Sequence, residues 1–160
     1  MLNRRHLRIR VLQFVYSWNR SNKVEITDLE KQFLKSIGKV EELYLLLLLY
    51  ILEIRDYAEN YLEDSKKKKL PSDSDLNPNT KFINNLFLQK LRDDSDLINK
   101  AEHAKLSFAD EQNMIKFVYF KMVESELYNS YMFEKFADYE SDKKFIVKLF
   151  SKELIEMKVF

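Results

Sequence analysis

No cysteine occurs among the 160 residues. Disulfides, cysteine-ligated zinc, iron–sulfur clusters and thiol nucleophiles are therefore excluded. The absence suits the reducing cytoplasm. Glycine occurs once, at Gly38, and proline twice, at Pro71 and Pro78. Sandwiches, barrels and doubly wound sheets need many tight turns with positive φ, which glycine supplies. A chain with one glycine can have few such turns, so the expected fold class is all-α. A glycine-rich phosphate loop is excluded on the same ground. Acidic residues are missing before Glu25.

What is present is a folding composition. Apolar residues make up 46%, with 12 Phe and 9 Tyr, far too many aromatics for a disordered chain. The length suits one domain with its own core, so residues 1–160 are expected to form a single helical domain. Net charge is +1, so any binding of a polyanion must come from local clustering rather than from the whole molecule.

Apolar spacing predicts a bundle of about six to seven helices. The first runs from an Asn3 cap to about Asn19, with Leu7, Val11, Phe14, Val15 and Trp18 as one buried stripe. A capping box at Thr27 and Glu30 opens a second, which stops at Gly38 as its C-cap. From Val40 a long helix runs to about Lys67. Its first half is apolar all round, and Arg55, Glu59, Glu63 and Asp64 lie on the polar face of its second half. Residues 65–80 read as an exposed loop, with Lys66 to Lys69, both prolines and Ser72-Asp73-Ser74-Asp75. Helices resume around Phe82 to Leu91. The acidic break Asp93-Asp94-Ser95-Asp96 caps a short piece to about Ala104, and Ser107 or Asp110 caps the next helix. The aromatic pattern continues over Tyr128 to Phe136, and Ser141 caps a last helix.

Two segments invite membrane readings, and both fail. Arginines followed by Val11 to Tyr16 faintly resemble a secretion signal, but Arg10 and Gln13 interrupt the apolar run and no small-residue cleavage site follows. The apolar stretch Leu43 to Leu52 has ten residues, and spanning a hydrocarbon core takes about 20. It is expected to be buried core, with no membrane partner.

Charge is distributed unevenly by type. Of 27 basic residues only seven are arginine, and five of those are Arg4, Arg5, Arg8, Arg10 and Arg20. Guanidinium groups bind phosphate bidentately and stack on bases. Arg5, Arg8 and Leu12 share a side of the first helix by their i, i+3, i+7 spacing. His6 and Tyr16 add stacking groups, which suits unpaired RNA, whose splayed bases are read by aromatic and arginine planes. The lysine run 66–69 sits beside Asp73 and Asp75 and reads as a solvated loop.

Catalytic constellations are absent, so no enzyme and no cofactor are expected. His6 and His103 have no partner at ligand spacing. The Asp93, Asp94, Asp96 cluster lacks the glycine and terminal glutamate of a calcium loop.

The run Arg4-Arg5-His6-Leu7-Arg8-Ile9-Arg10-Val11-Leu12-Gln13-Phe14-Val15-Tyr16 resembles the opening helix of the NusB family of bacterial transcription antitermination factors. Asp28-Leu29-Glu30-Lys31-Gln32-Phe33 is similar to that family's second helix. Specific matching covers about the first 35 residues. Leu7 and Ile9 stand where alanine and glutamate are usual, and the second-half Ile-Asn-Glu and Phe-Val-Asn-Gly signatures are not found. The chain therefore resembles the front part of an enlarged member, the C-terminal subdomain being absent.

The resemblance implies an all-helical protein of the bacterial cytoplasm. It would bind single-stranded boxA-like leader RNA together with the ribosomal protein NusE, and act on the transcription elongation complex. Arg4, Arg5 and Arg8 match the family's arginines and Gln13 its glutamine. The expected RNA-binding set is Arg4, Arg5, His6, Arg8, Arg10 and Gln13, with no metal. The alternative is a helical protein-interaction module or homodimer without RNA binding. It is suggested by the large apolar load and by a chain that ends on Val159-Phe160 with no polar tail.

Overall fold

A computed structural model describes residues 3–20, 25–134 and 138–154. The fold is all-α. Its helices are α1 (Arg4–Arg20), α2 (Ile26–Lys66), α3 (Asp73–Leu76), α4 (Leu86–Arg92), α5 (Ser95–His103), α6 (Gln112–Glu124), α7 (Glu126–Phe133) and α8 (Tyr139–Lys148). A 3-10 turn at Ala109–Glu111 leads into α6, and a π-helical turn, Leu149–Leu154, continues α8. Among the described residues there is no strand, and no helix is long and apolar enough to cross a membrane. The chain divides into two compact units, Met1–Leu45 and Leu46–Phe160.

In the first unit, α1 and the opening turns of α2 meet through aromatic rings. Phe14 and Phe33 lie edge to face with centroids 5.3 Å apart, a geometry favoured by the ring quadrupole. The half-buried residues of α1 are Leu7, Arg10 and Phe14, at i, i+3, i+7, so one narrow side faces inward. The expected buried stripe is not found: α1 has no buried residue. Val11, Val15 and Trp18 are 45%, 48% and 38% exposed, and Leu12 is 69% exposed. The helix turns Phe14 and Leu7 inward, with Phe14 about 60° away from Val11 at 3.6 residues per turn, so Val11, Val15 and Trp18 stay at the surface.

Helix α2 corrects two boundaries. It starts at Ile26, where the Glu25 carbonyl accepts from the N–H groups of Asp28 and Leu29, so Thr27 lies inside the first turn rather than capping it. It then passes through Gly38 without a break. Gly38 has no positive φ. The helical pattern of half-buried Leu29, Phe33, Ile37 and Val40 crosses it unbroken, and that pattern outweighs the single weak helix former. The apolar run is not buried throughout either. Leu43 and Tyr44 are exposed, and burial is complete from Tyr50 to Leu52.

The second unit has the main core. Tyr50, Ile51 and Ile54 of α2 pack with Phe82, Leu88, Ile115, Val118, Met122, Phe145, Ile146 and Leu149. Arg55, expected on the polar face, is buried instead. Its Nε donates to the Ile83 carbonyl at 3.0 Å, and its Nη1 donates to Asp56 at 2.6 Å and Glu59 at 3.0 Å. A buried guanidinium is tolerated because these acceptors replace its hydration.

Residues 65–80 are not wholly loop. Ser65 is buried, and Ser72 opens the one-turn helix α3 with a reciprocal capping box to Asp75. Asp94 caps α5 as expected, accepting from the N–H groups of Asp96 and Leu97. The last helix is capped by Asp138 rather than Ser141, whose N–H donates to the Asp138 carboxylate at 2.9 Å. Residues 135–137, at the end of the expected aromatic helix, lie outside the described set, as do 155–160.

Candidate nucleic-acid interface

Asn3 sets the first turn of α1, its side-chain oxygen accepting from the His6 N–H at 2.9 Å. That turn contains no acidic residue. It carries Arg4 and Arg5, cations at the positive end of the helix dipole, where they destabilise the helix by about 0.3–1 kcal/mol each. The local arrangement thus works against helix stability.

A described α-helix advances about 100° per residue, which divides the expected binding set. Arg4 and Arg8 fall within about 40° of each other, and Arg5 borders them on one side. All three are exposed. None has a carboxylate within ion-pairing distance among the described residues. His6 and Gln13 are exposed too, but they lie roughly opposite Arg8, about 150° around the helix. Arg10 is half-buried on the side of Leu7 and Phe14. The structure therefore brings together Arg4, Arg5 and Arg8, and separates them from His6, Arg10 and Gln13.

Further along the same side of α1, the arginines give way to aliphatic residues. Leu7, Arg8, Val11, Leu12 and Val15 line an open recess of about 380 Å³. Tyr16 and Arg20 form a separate pair, the guanidinium carbon 5.4 Å from the ring centroid. That contact occupies one face of the tyrosine expected to stack on a base.

No protein-family model, curated protein or solved structure matches the chain.

The other polar clusters serve the fold. Within the run 66–69, Lys67 pairs with Asp64 at 3.5 Å and Lys68 with Asp75 at 2.9 Å. The Ser72 N–H, the Lys68 ammonium and the Ser72 hydroxyl together hold the Asp75 carboxyl down at about 2. Half of the run is thus engaged by carboxylates. No group of three potential metal ligands forms among the described residues.

Sequence inspection misses one cluster entirely. The Asp142 carboxylate is fully buried. It accepts from the Tyr131 hydroxyl at 2.7 Å and from the Leu86 N–H at 2.7 Å. Asn85 donates to the Tyr131 hydroxyl at 3.1 Å, and the Lys81 ammonium lies 4.2 Å from the Tyr131 ring centroid. With no exposure, this aspartate reaches no substrate, and it ties α8 to the start of α4 and to α7. The partners are 11 to 57 residues apart in sequence, so no local motif announces them.

Proposed function

We propose that α1 is an RNA-binding element, and that the chain is a non-enzymatic transcription antitermination factor of the NusB type from a bacterial cytoplasm. The observation that carries the RNA reading is the Arg4, Arg5 and Arg8 face. These are three exposed guanidinium groups on one side of a helix, without carboxylate partners among the described residues. Arg4 and Arg5 stand in the first turn, where they oppose the helix dipole, a cost that a phosphate ligand would reverse. The antitermination role, boxA-like RNA and a partnership with NusE and the elongation complex rest on the resemblance of residues 4–16 and 28–33. His6, Arg10 and Gln13 belong to the proposed set only if the strand wraps around the helix.

The test is binding of a fluorescent single-stranded boxA-like oligonucleotide and of a scrambled one. Affinity should fall with salt by about 0.7 log units per phosphate contact for each log unit of salt. The triple variant Arg4→Ala, Arg5→Ala, Arg8→Ala should abolish binding, and unchanged affinity would sink the RNA reading. Equal affinity for the scrambled strand, or failure of purified NusE to join the complex, would remove the NusB assignment and leave the RNA reading standing.

A second reading is a protein-interaction module without RNA binding. It is favoured by the exposure of Val11, Leu12 and Val15, which a solvated helix has no need to display. Self-association that covers α1, with no RNA affinity, would select it.

A further inference from the structure

The face of α1 that carries Arg4 and Arg8 continues into Val11, Leu12 and Val15, giving one column of about three turns that is cationic at its start and aliphatic beyond. We propose that this column seats an acidic amphipathic helix from a partner protein. The partner's apolar stripe would fill the recess, and its carboxylates would meet Arg8 and Arg4.

The chemistry of the column selects this occupant. The recess is lined almost wholly by carbon, from Leu7, Val11, Leu12, Val15 and the aliphatic stem of Arg8, so it takes an apolar side chain, and the exposed Arg8 supplies a cation next to it. Helix-in-groove recognition reads side chains at i, i+3, i+4 and i+7, and Arg8, Val11, Leu12 and Val15 have that spacing, one cation followed by three aliphatic side chains. The charge on this side is wholly positive, since no acidic residue precedes Glu25, and complementary potential fixes partner choice. A second copy of α1 would set arginine against arginine, which disfavours self-pairing. A recess also takes an inserted side chain, which a flat layer of lipid headgroups does not supply.

The column shares Arg4 and Arg8 with the face assigned to RNA above. In that part only, the inference rests on the RNA reading: acidic helix and RNA should exclude each other, so the partner would act as a competitive regulator. The apolar half belongs to the protein ligand alone.

The probe is a synthetic helical peptide with leucines at i, i+3, i+4 and i+7 and glutamates flanking them. The same peptide with lysine for glutamate is the control. Binding to the full chain is read by peptide anisotropy and by the methyl resonances of Val11, Leu12 and Val15. The acidic peptide should saturate and shift those methyls, and the lysine peptide should not. Leu12→Asp and Val15→Asp should each weaken the peptide by about tenfold or more, and the neutral Leu12→Asn should weaken it while leaving RNA affinity unchanged. Both sites are exposed, so circular dichroism can verify that the variants stay folded.

The proposal is overturned if the two peptides bind alike, if the acidic one fails to bind, or if Leu12→Asp leaves its affinity intact. Anionic vesicles that bind the chain through these methyls, or self-association that covers them, overturn it as well. An acidic peptide that displaces RNA supports the shared column, and one that binds beside RNA overturns that part. A chain with no RNA affinity overturns the function proposed above, and the peptide and methyl measurements still decide the docking site.

Discussion

The Tyr131 hydroxyl donates a 2.7 Å hydrogen bond to Asp142, a carboxylate with no solvent exposure. Tyr131 also stacks on Phe145 at 3.8 Å between centroids, with the rings 8° from parallel. One side chain thus fills the core with its ring and satisfies a buried anion with its hydroxyl. Tyr131→Phe keeps the ring and removes the donor, leaving one Asp142 oxygen without its partner. The expected loss is about 1–3 kcal/mol. Asp142→Asn should cost a similar amount, because its amide cannot accept at both the Tyr131 hydroxyl and the Leu86 N–H. Chemical denaturation of both single variants and the double variant should show coupling of about 0.5–3 kcal/mol. Additive losses would mean that the two groups do not act together.

Buried tyrosines also set an alkaline limit. Burial pushes the Tyr50 and Tyr119 phenols up to about 12, and burial followed by the Asp142 hydrogen bond raises Tyr131 further. A folded-state value above the unfolded one, near 10, favours the native state fully below about pH 10. That contribution disappears as pH rises through the folded value. Stability should therefore be flat across neutral pH with respect to these groups and fall between about pH 10 and 12. Tyrosinate absorbance followed with the unfolding transition checks this. Ionisation of all nine tyrosines near pH 10 in the folded protein would contradict it.

Glycine and the left-handed conformation are uncoupled in this chain. Gly38 lies inside α2 with no positive φ, and a Cβ added there would meet nothing within 4 Å. Gly38→Ala should stabilise the protein by about 0.8–1 kcal/mol from helix propensity alone. Lys105 is the reverse case, the one non-glycine residue with positive φ among the described residues, at 54°. It ends α5, where the Leu106 N–H reaches back to the Ala101 carbonyl at 3.0 Å, a position at which glycine is usual. Lys105→Gly should be neutral or stabilising despite the added chain entropy. Thermal unfolding of both variants decides the matter, and a destabilised Gly38→Ala would show that the glycine serves close contact rather than mere tolerance.

Periodicity and caps made much of the fold legible. Residues 4–20 read as a helix because Asn3 and the apolar spacing agree, and α5 reads correctly because three aspartates crowd its N-terminus. Gly38 misled, since a glycine after an apolar helix resembles a C-cap until the stripe through Ile37 and Val40 is given more weight. Arg55 read as surface because its acceptor, the Ile83 carbonyl, lies 28 residues away. For the same reason Asp142 gave no signal at all. At the candidate site the arginine cluster was visible as residue types, but its division was not. Only the confirmed helix phase separates Arg4, Arg5 and Arg8 from His6, Arg10 and Gln13, and only exposure shows that Val11, Leu12 and Val15 remain uncovered.

Charge reversal separates a structural role for Arg4 and Arg5 from a binding role. Both stand in the first turn of α1, where cations oppose the dipole and carboxylates favour it. Arg4→Glu and Arg5→Glu should each stabilise the helix by about 0.5–2 kcal/mol, the sum of removing a cation and adding an anion. The same two changes place negative charge where phosphate is proposed to bind, so RNA affinity should fall by about tenfold or more for each, most steeply at low salt. Residues held for stability would show the opposite pattern, with lower melting temperature and unchanged RNA binding. Melting temperature and oligonucleotide anisotropy on the same samples therefore give opposite signs for the two roles. A variant that gains stability and keeps full RNA affinity would rule out that arginine as a phosphate contact.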